Sequence, residues 1–195
     1  RDRYNSEIKP VDPLYLMKDT NTPSPYNEKP AFNKYSNGEE VIYFTHEGGT
    51  HHGTKSQITI RFSISPEEVR QLQGGSPFGK HAKRNMGVSV LRAGRELEMN
   101  QSWLTQDPRE RWVGIEIEFP PEMDDIFGVP NNKQYAGDLA KIDEENFLIE
   151  NSITNNSNLQ DYLSENPKEK IKYDISQLIS KHLRAMVSSI KAVSY

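Results

Sequence analysis

An α+β fold is predicted: a mostly antiparallel four-stranded sheet, helices on one side, and a long C-terminal helix. Three observations point to it. Ile58, Ile60, Phe62 and Ile64 alternate with polar residues, as do Val113, Ile115, Ile117 and Phe119. Period two is the mark of strands buried on one face. From Pro167 onward, Ile171, Ile175, Leu178, Ile179, His182, Leu183, Met186, Val187 and Ile190 recur at helical spacing as one apolar stripe. Finally, long helices do not alternate with buried strands, so a doubly wound parallel sheet does not fit and segregated layers do.

The elements follow in order. Residues 1–38 hold five of the twelve prolines among Asn, Ser, Thr and Tyr. Proline fixes its own φ and pushes its predecessor to extended geometry, so long helices are excluded there. The stretch reads as an extended lead-in anchored by Leu14, Tyr15, Leu16, Met17, Tyr26 and Phe32. Residues 39–150 form the α+β domain. Glu40–Thr45 is a short strand followed by a glycine loop, and 57–65 is the second strand. Ser65-Pro66-Glu67-Glu68 then starts a short helix with a capping serine, proline and two acids. A third strand runs from Gly87 to Arg92, turns near Ala93-Gly94 and resumes toward Leu97. Strand four, 113–119, stops at Pro120-Pro121. A connection runs from Met123 to Gln134, and a weaker helical stretch covers 137–149. Residues 151–166, rich in asparagine at their start, read as a linker. Residues 167–195 form the amphipathic helix, with six cations against two acids. Its stripe packs on the sheet, or else meets a coiled-coil partner.

Composition excludes several classes. The 195 residues suit one domain with an appendage. With no cysteine, disulfide scaffolds, thiol nucleophiles, thiolate zinc sites and iron–sulfur clusters are ruled out. No apolar run reaches the roughly 18 residues of a membrane span, and no signal segment opens the chain; a cytoplasmic location is expected. A net charge of −4 argues against nucleic-acid binding as the main task. The opening Arg1-Asp2-Arg3 has no initiator methionine, so a fragment or processed form is expected.

Two motifs fail on inspection. Gly74-Gly75-Ser76-Pro77-Phe78-Gly79-Lys80 has P-loop spacing, but His81 stands where Ser or Thr would bind Mg²⁺ and no buried strand precedes it. A glycine-rich surface loop is the better reading. His46-Glu47-Gly48-Gly49-Thr50-His51 is one residue too long for a zinc-protease helix and has two glycines inside it. His46, His51 and His52 therefore read as polar loop residues, and no metal site is expected. Glu116/Glu118 and Asp124/Asp125 read as a strand face and a turn rather than a catalytic dyad. Lys80, His81, Lys83 and Arg84, with Arg92 and Arg95, make a basic patch. It serves either as solvated loop charge or as an anion or nucleic-acid contact. Lys133, in Val129-Pro130-Asn131-Asn132-Lys133-Gln134, is a surface lysine or a point charge that a loop presents to phosphate.

Three blocks carry a family resemblance: Gly79 to Leu97, Asp107 to Gly114, and Phe127 to Gln134, with His52-Gly53-Thr54-Lys55-Ser56 beside them. Together they resemble bacterial GHKL-type ATP-binding proteins. The Asn-Lys-Gln segment is similar to that of the Microrchidia ATPases and, more distantly, to the lysine loop of gyrase B, MutL and heat-shock chaperone relatives. The resemblance covers about residues 40–136. It implies a transducer domain, the ribosomal-protein-S-five-domain-two-like second domain that follows the ATP-binding domain. It further implies that Lys133 contacts the ATP γ-phosphate, with Asn131 and Gln134 as supporting loop residues. The expected partners are an N-terminal ATP-binding domain of the same polypeptide and a second copy in a homodimer. The implied cofactors, ATP and Mg²⁺, belong to the parent protein. This chain has no counterpart of the acidic base, the Mg²⁺-binding asparagine, the adenine-binding aspartate-glycine or the glycine-rich lid. It is expected to be an inactive piece of a longer ATPase. A nucleic-acid module using residues 80–95, and a module docking a protein through the C-terminal helix, remain the alternatives.

Overall fold

The computed structural model describes residues 12, 14, 16, 28 and 30–191. Five strands, β1 (Asn33–Thr45), β2 (Lys55–Ile64), β3 (Val88–Arg92), β4 (Arg95–Asn100) and β5 (Val113–Phe119), form one sheet in the order β1-β2-β5-β3-β4. All neighbours are antiparallel except β3 and β5. Short helices α1 (Glu67–Arg70) and α2 (Pro77–Arg84) link β2 to β3. After β5 come α3 (Asp124–Phe127), α4 (Glu144–Glu150), α5 (Asn156–Glu165) and α6 (Pro167–Ser189).

Register explains the alternation. Ile60 faces Ile117, Phe62 faces Ile115 and Ile64 faces Val113, which gathers one apolar face across β2 and β5. α6 lies against that face. Its Ile175, Ile179 and Met186 are fully buried there, and His182 stacks on Phe62 with ring centres 4.1 Å apart. The C-terminal stripe therefore packs on the chain's own sheet. On the opposite face, Ser63 meets Gly114 and Arg61 meets Glu116. Leu14 from the lead-in covers part of this face, and its Cδ2 lies 3.2 Å from where a Cβ on Gly114 would stand. Of the expected anchors, Leu14 and Phe32 are buried and Leu16 is half-buried. Tyr15, Met17 and Tyr26 fall outside the described residues.

Five expectations are corrected. β1 is not a short strand over Glu40–Thr45 but begins at Asn33, so the end of the expected 1–38 lead-in is strand. The sheet has five strands, not four, because the chain after Gly94 forms a strand of its own. Ala93 (φ 49°) and Gly94 (φ 79°) both take positive φ in a tight hairpin turn. Leu97 is skipped where the register slips between Val90 and Leu91, so the pairing leaves no alternation to read. Ser65 does not cap α1; its hydroxyl donates to Ala31 O (3.3 Å), and Pro66 holds the cap position. The 74–80 stretch is not a loop throughout. Ser76 Oγ accepts from Gly79 N–H (3.0 Å) and Pro77 sits in the first turn, so α2 starts there.

The expected linker over 151–166 holds α5. Asn155 caps it by accepting from Asn158 N–H (2.9 Å), and Leu159 and Leu163, one turn apart, bury against Phe147, Ile153 and Tyr173. Asparagines that suggested an unstructured linker are helix caps. Asn166 donates to Tyr162 O (2.8 Å) at the end of α5, directly before Pro167 opens α6. Among the described residues no helix is long and apolar enough to cross a membrane.

Candidate functional site

The segment beyond β5 is built to hold a loop. After Pro120 a single 3₁₀ turn leads into α3, whose Ile126 and Phe127 are buried; the Phe127 ring meets Phe119 edge-on at 4.8 Å. Gly128 ends α3 in the left-handed region (φ 66°, ψ 41°), and Val129 N–H donates back to Asp124 O (2.9 Å). A Cβ at Gly128 would come within 2.7–2.9 Å of Asp138, so both the turn and the crowding call for glycine. The loop's stem is closed by Gly137 N–H to Gly128 O (3.1 Å) and Asp138 N–H to Phe127 O (3.0 Å). Ala136 and Leu139 fix its returning end in the core.

At the tip, residues 131–135 are exposed. Lys133 has φ 51°, a left-handed backbone that a lysine adopts at a cost, and its N–H donates to Pro130 O (2.9 Å). The Asn132 amide reaches toward Gln134 Oε1 at 3.5 Å. Among the described residues Lys133 has no ion-pair partner. Asn131, Lys133 and Gln134 thus share one exposed tip on a fixed stem.

The basic patch is drawn from two places in the chain. Lys80, Lys83 and Arg84 lie on α2, before β3 begins, whereas Arg92 and Arg95 lie at its far end, about 13 Å away at strand rise. Arg92 is occupied: its Nε and Nη2 donate to the two oxygens of Asp124 at 2.7 and 2.8 Å. That bidentate pair ties β3 to α3 beneath the lysine loop. Lys80, Lys83, Arg84 and Arg95 are exposed. Burial, then the charge of Arg84, lowers the His81 pKa.

The other candidates resolve into structure. A single Arg61 nitrogen lies 2.8 Å from Glu118 and 3.6 Å from Glu116, with Glu39 at 3.8 Å from the same guanidinium. Burial raises the Glu116 pKa, and Arg61 opposes the rise. Because an arginine bridges them, Glu116 and Glu118 form an ion-pair network rather than a pair free to flank a substrate. Asp124 serves Arg92 at the head of α3. Around Gly74, the Arg111 guanidinium leaves no room for a Cβ, and the Gly79 N–H is spent on the Ser76 cap. No phosphate cradle forms there. His46 is buried with Nε2 at 2.8 Å from Ser56 Oγ, and burial, then the charge of His51, lowers its pKa. Among the described residues no group of three or more His, Asp or Glu side chains is arranged to hold a metal ion.

One group was not legible beforehand. Glu110 lies between Arg109 and Arg111, a run that reads as solvated charge. Yet it is 1% exposed, because the 3₁₀ turn Pro108–Trp112 directs it inward. Its Oε1 accepts from Thr105 N–H (2.7 Å) and Thr105 Oγ–H (2.5 Å), while its buried Oε2 has no hydrogen-bond partner among the described residues. Compared with known proteins, the chain matches no family model, no curated protein and no solved structure.

Proposed function

We propose that this chain is the transducer segment of a GHKL-type ATPase, coupling nucleotide state in an N-terminal domain of the same polypeptide to a change in domain orientation. In this reading the five-stranded sheet with its long C-terminal helix is the ribosomal-protein-like transducer fold. Lys133 contacts the γ-phosphate, and Asn131 and Gln134 shape the loop around it. One observation carries the reading: a lysine without an ion-pair partner among the described residues, at the exposed tip of a loop whose stem is fixed by backbone bonds and buried aromatics. A free ammonium on a rigid support stabilises charge on a phosphoryl group with little reorganisation. The Arg92–Asp124 pair beneath it connects the loop to β3, so force on the lysine reaches the sheet.

This chain supplies the lysine and none of the residues that hold the base and Mg²⁺ in proteins it resembles. ATP and Mg²⁺ therefore belong to the parent protein, and the isolated chain is proposed to be inactive. The test is turnover by the parent ATPase. Lys133→Ala is expected to leave ATP affinity within about threefold and to lower turnover about 100-fold, the loss typical of one preorganised charge contact. Unchanged turnover overturns the proposal.

A second reading rests on α2. Lys80, Lys83 and Arg84 are exposed on eight residues of helix and have no ion pair among the described residues. Such a cluster suits a nucleic-acid backbone. Charge reversal of Lys83 and Arg84 would then weaken DNA or RNA binding and flatten its salt dependence; binding that ignores salt in the unaltered chain overturns it.

A further inference from the structure

Glu110 departs from the rule that buried polar atoms are hydrogen-bonded. Thr105 satisfies one oxygen twice and leaves the other enclosed and, among the described residues, unpartnered. Leaving a buried acceptor unsatisfied is costly, and more so when it is charged. The residue lines a cleft of about 760 Å³, which lies between the 102–110 segment, Lys141 and the second half of α6. That volume falls within the usual range for small-molecule sites.

The charges around this cleft are unevenly engaged. Asp107 is held by Arg109 at 2.7 Å, Asp143 accepts from Asn146 N–H to cap α4 (3.1 Å), and Glu144 accepts from the Tyr173 hydroxyl (3.0 Å). Each acid on the rim already has a partner. Lys141 and Arg184 line the same cleft, are exposed, and form no ion pair among the described residues. The cleft thus offers one enclosed acceptor and two free cations. A ligand that answers both carries an N–H donor and an anion.

We propose that this cleft binds a small zwitterion, its N–H-bearing group meeting Glu110 Oε2 and its carboxylate or phosphate facing Lys141 and Arg184. Oε2 is closed to solvent, so the donor reaches it when the carboxyl turns or its surroundings shift, and Thr105, which holds Oε1, leads into Gln106. Both residues are exposed, and Gln106 (φ 68°) already holds a strained turn.

The experiment is an amide NMR titration of the 195-residue chain. The zwitterionic probes are O-phosphoethanolamine, an amine with a phosphate, and β-alanine, an amine with a carboxylate. Ethanolamine, inorganic phosphate and acetate serve as half-probes. At least one zwitterion is expected to give saturable shifts centred on Thr105, Glu110 and Ile142, about tenfold tighter than either of its halves. Which zwitterion binds identifies the anion. Glu110→Gln keeps the shape and the Thr105 bonds but puts an NH₂ donor in place of Oε2, and is expected to weaken binding about tenfold. The pair Lys141→Ala and Arg184→Ala changes exposed residues, keeps the fold, and is expected to weaken binding about fivefold. The proposal fails if neither zwitterion saturates, if the halves bind as well as the whole, or if either variant binds like the unaltered chain.

Discussion

The lysine loop and the Glu110 cleft place charge in opposite ways. In the loop the support is buried and the charge is exposed: Phe127 and Leu139 are fixed in the core, and Lys133 stands outside without an ion pair among the described residues. In the cleft, the exposed Thr105 holds a carboxyl group that is itself buried. The first arrangement readies a cation for something that docks from outside. The second holds an acceptor until its surroundings shift. The contrast shows why a motif reading finds one and misses the other. A proline turn with polar residues advertises exposed chemistry, whereas a glutamate between two arginines shows nothing until the backbone says which way it points.

Breaking the loop's support has the largest expected effect. Phe127→Ala removes a fully buried ring and is expected to destabilise the chain by about 3–5 kcal/mol in urea unfolding. A loss below about 1 kcal/mol would mean that α3 is not part of the core. Arg92→Ala leaves Asp124 half-buried without its bidentate partner, and about 1–3 kcal/mol is expected. The companion Asp124→Asn should cost less, because it leaves no carboxylate unpaired.

In the cleft, Asp107 carries the pH dependence. Hydrogen bonds from the Arg109 side chain, then its backbone N–H, hold the Asp107 carboxyl below its ordinary value. A depressed folded pKa contributes stability above the unfolded value and loses it as pH falls through the folded one. The pair is partly solvated, so Asp107→Asn is expected to cost no more than about 1 kcal/mol at neutral pH. That difference should shrink as pH drops below about 4. A difference that grows on acidification would reverse the assignment.

The smallest effect is the most discriminating. Lys133→Gly relieves a left-handed backbone and is expected to stabilise the chain by up to about 1 kcal/mol, offset in part by unfolded-state entropy. Lys133→Ala keeps the strain and is expected to be neutral. Should both destabilise, the lysine would have a structural role in the loop, and its exposure would carry no functional meaning.

Much of the fold was legible because its signals are local. Period-two alternation in 57–65 and 113–119 and the apolar stripe of α6 each survive in one dimension. β4 was legible only as the third strand resuming toward Leu97; its run to Asn100 as a separate strand was hidden, because Arg95, Glu96 and Glu98 are exposed or half-buried at a sheet edge and a bulge breaks the period. α5 hid behind the asparagines that cap it. Of the candidate residues, Asn131, Lys133 and Gln134 were read together and lie together. Lys80, Lys83, Arg84, Arg92 and Arg95 were read together; β3 runs between the two groups in the chain, and Arg92 is taken up by Asp124.

The proposed contact between Lys133 and a γ-phosphate is tested most directly by a γ-linked acyl-phosphate derivative of ATP, added to the parent ATPase. A lysine amine beside the γ-phosphate attacks the acyl carbon, forms an amide and releases ATP, and peptide mass spectrometry then locates the label. Acylation of Lys133, suppressed by excess ATP, is the expected result. Labelling confined to other lysines, with Lys133 unmodified while ATP is bound, would contradict the account.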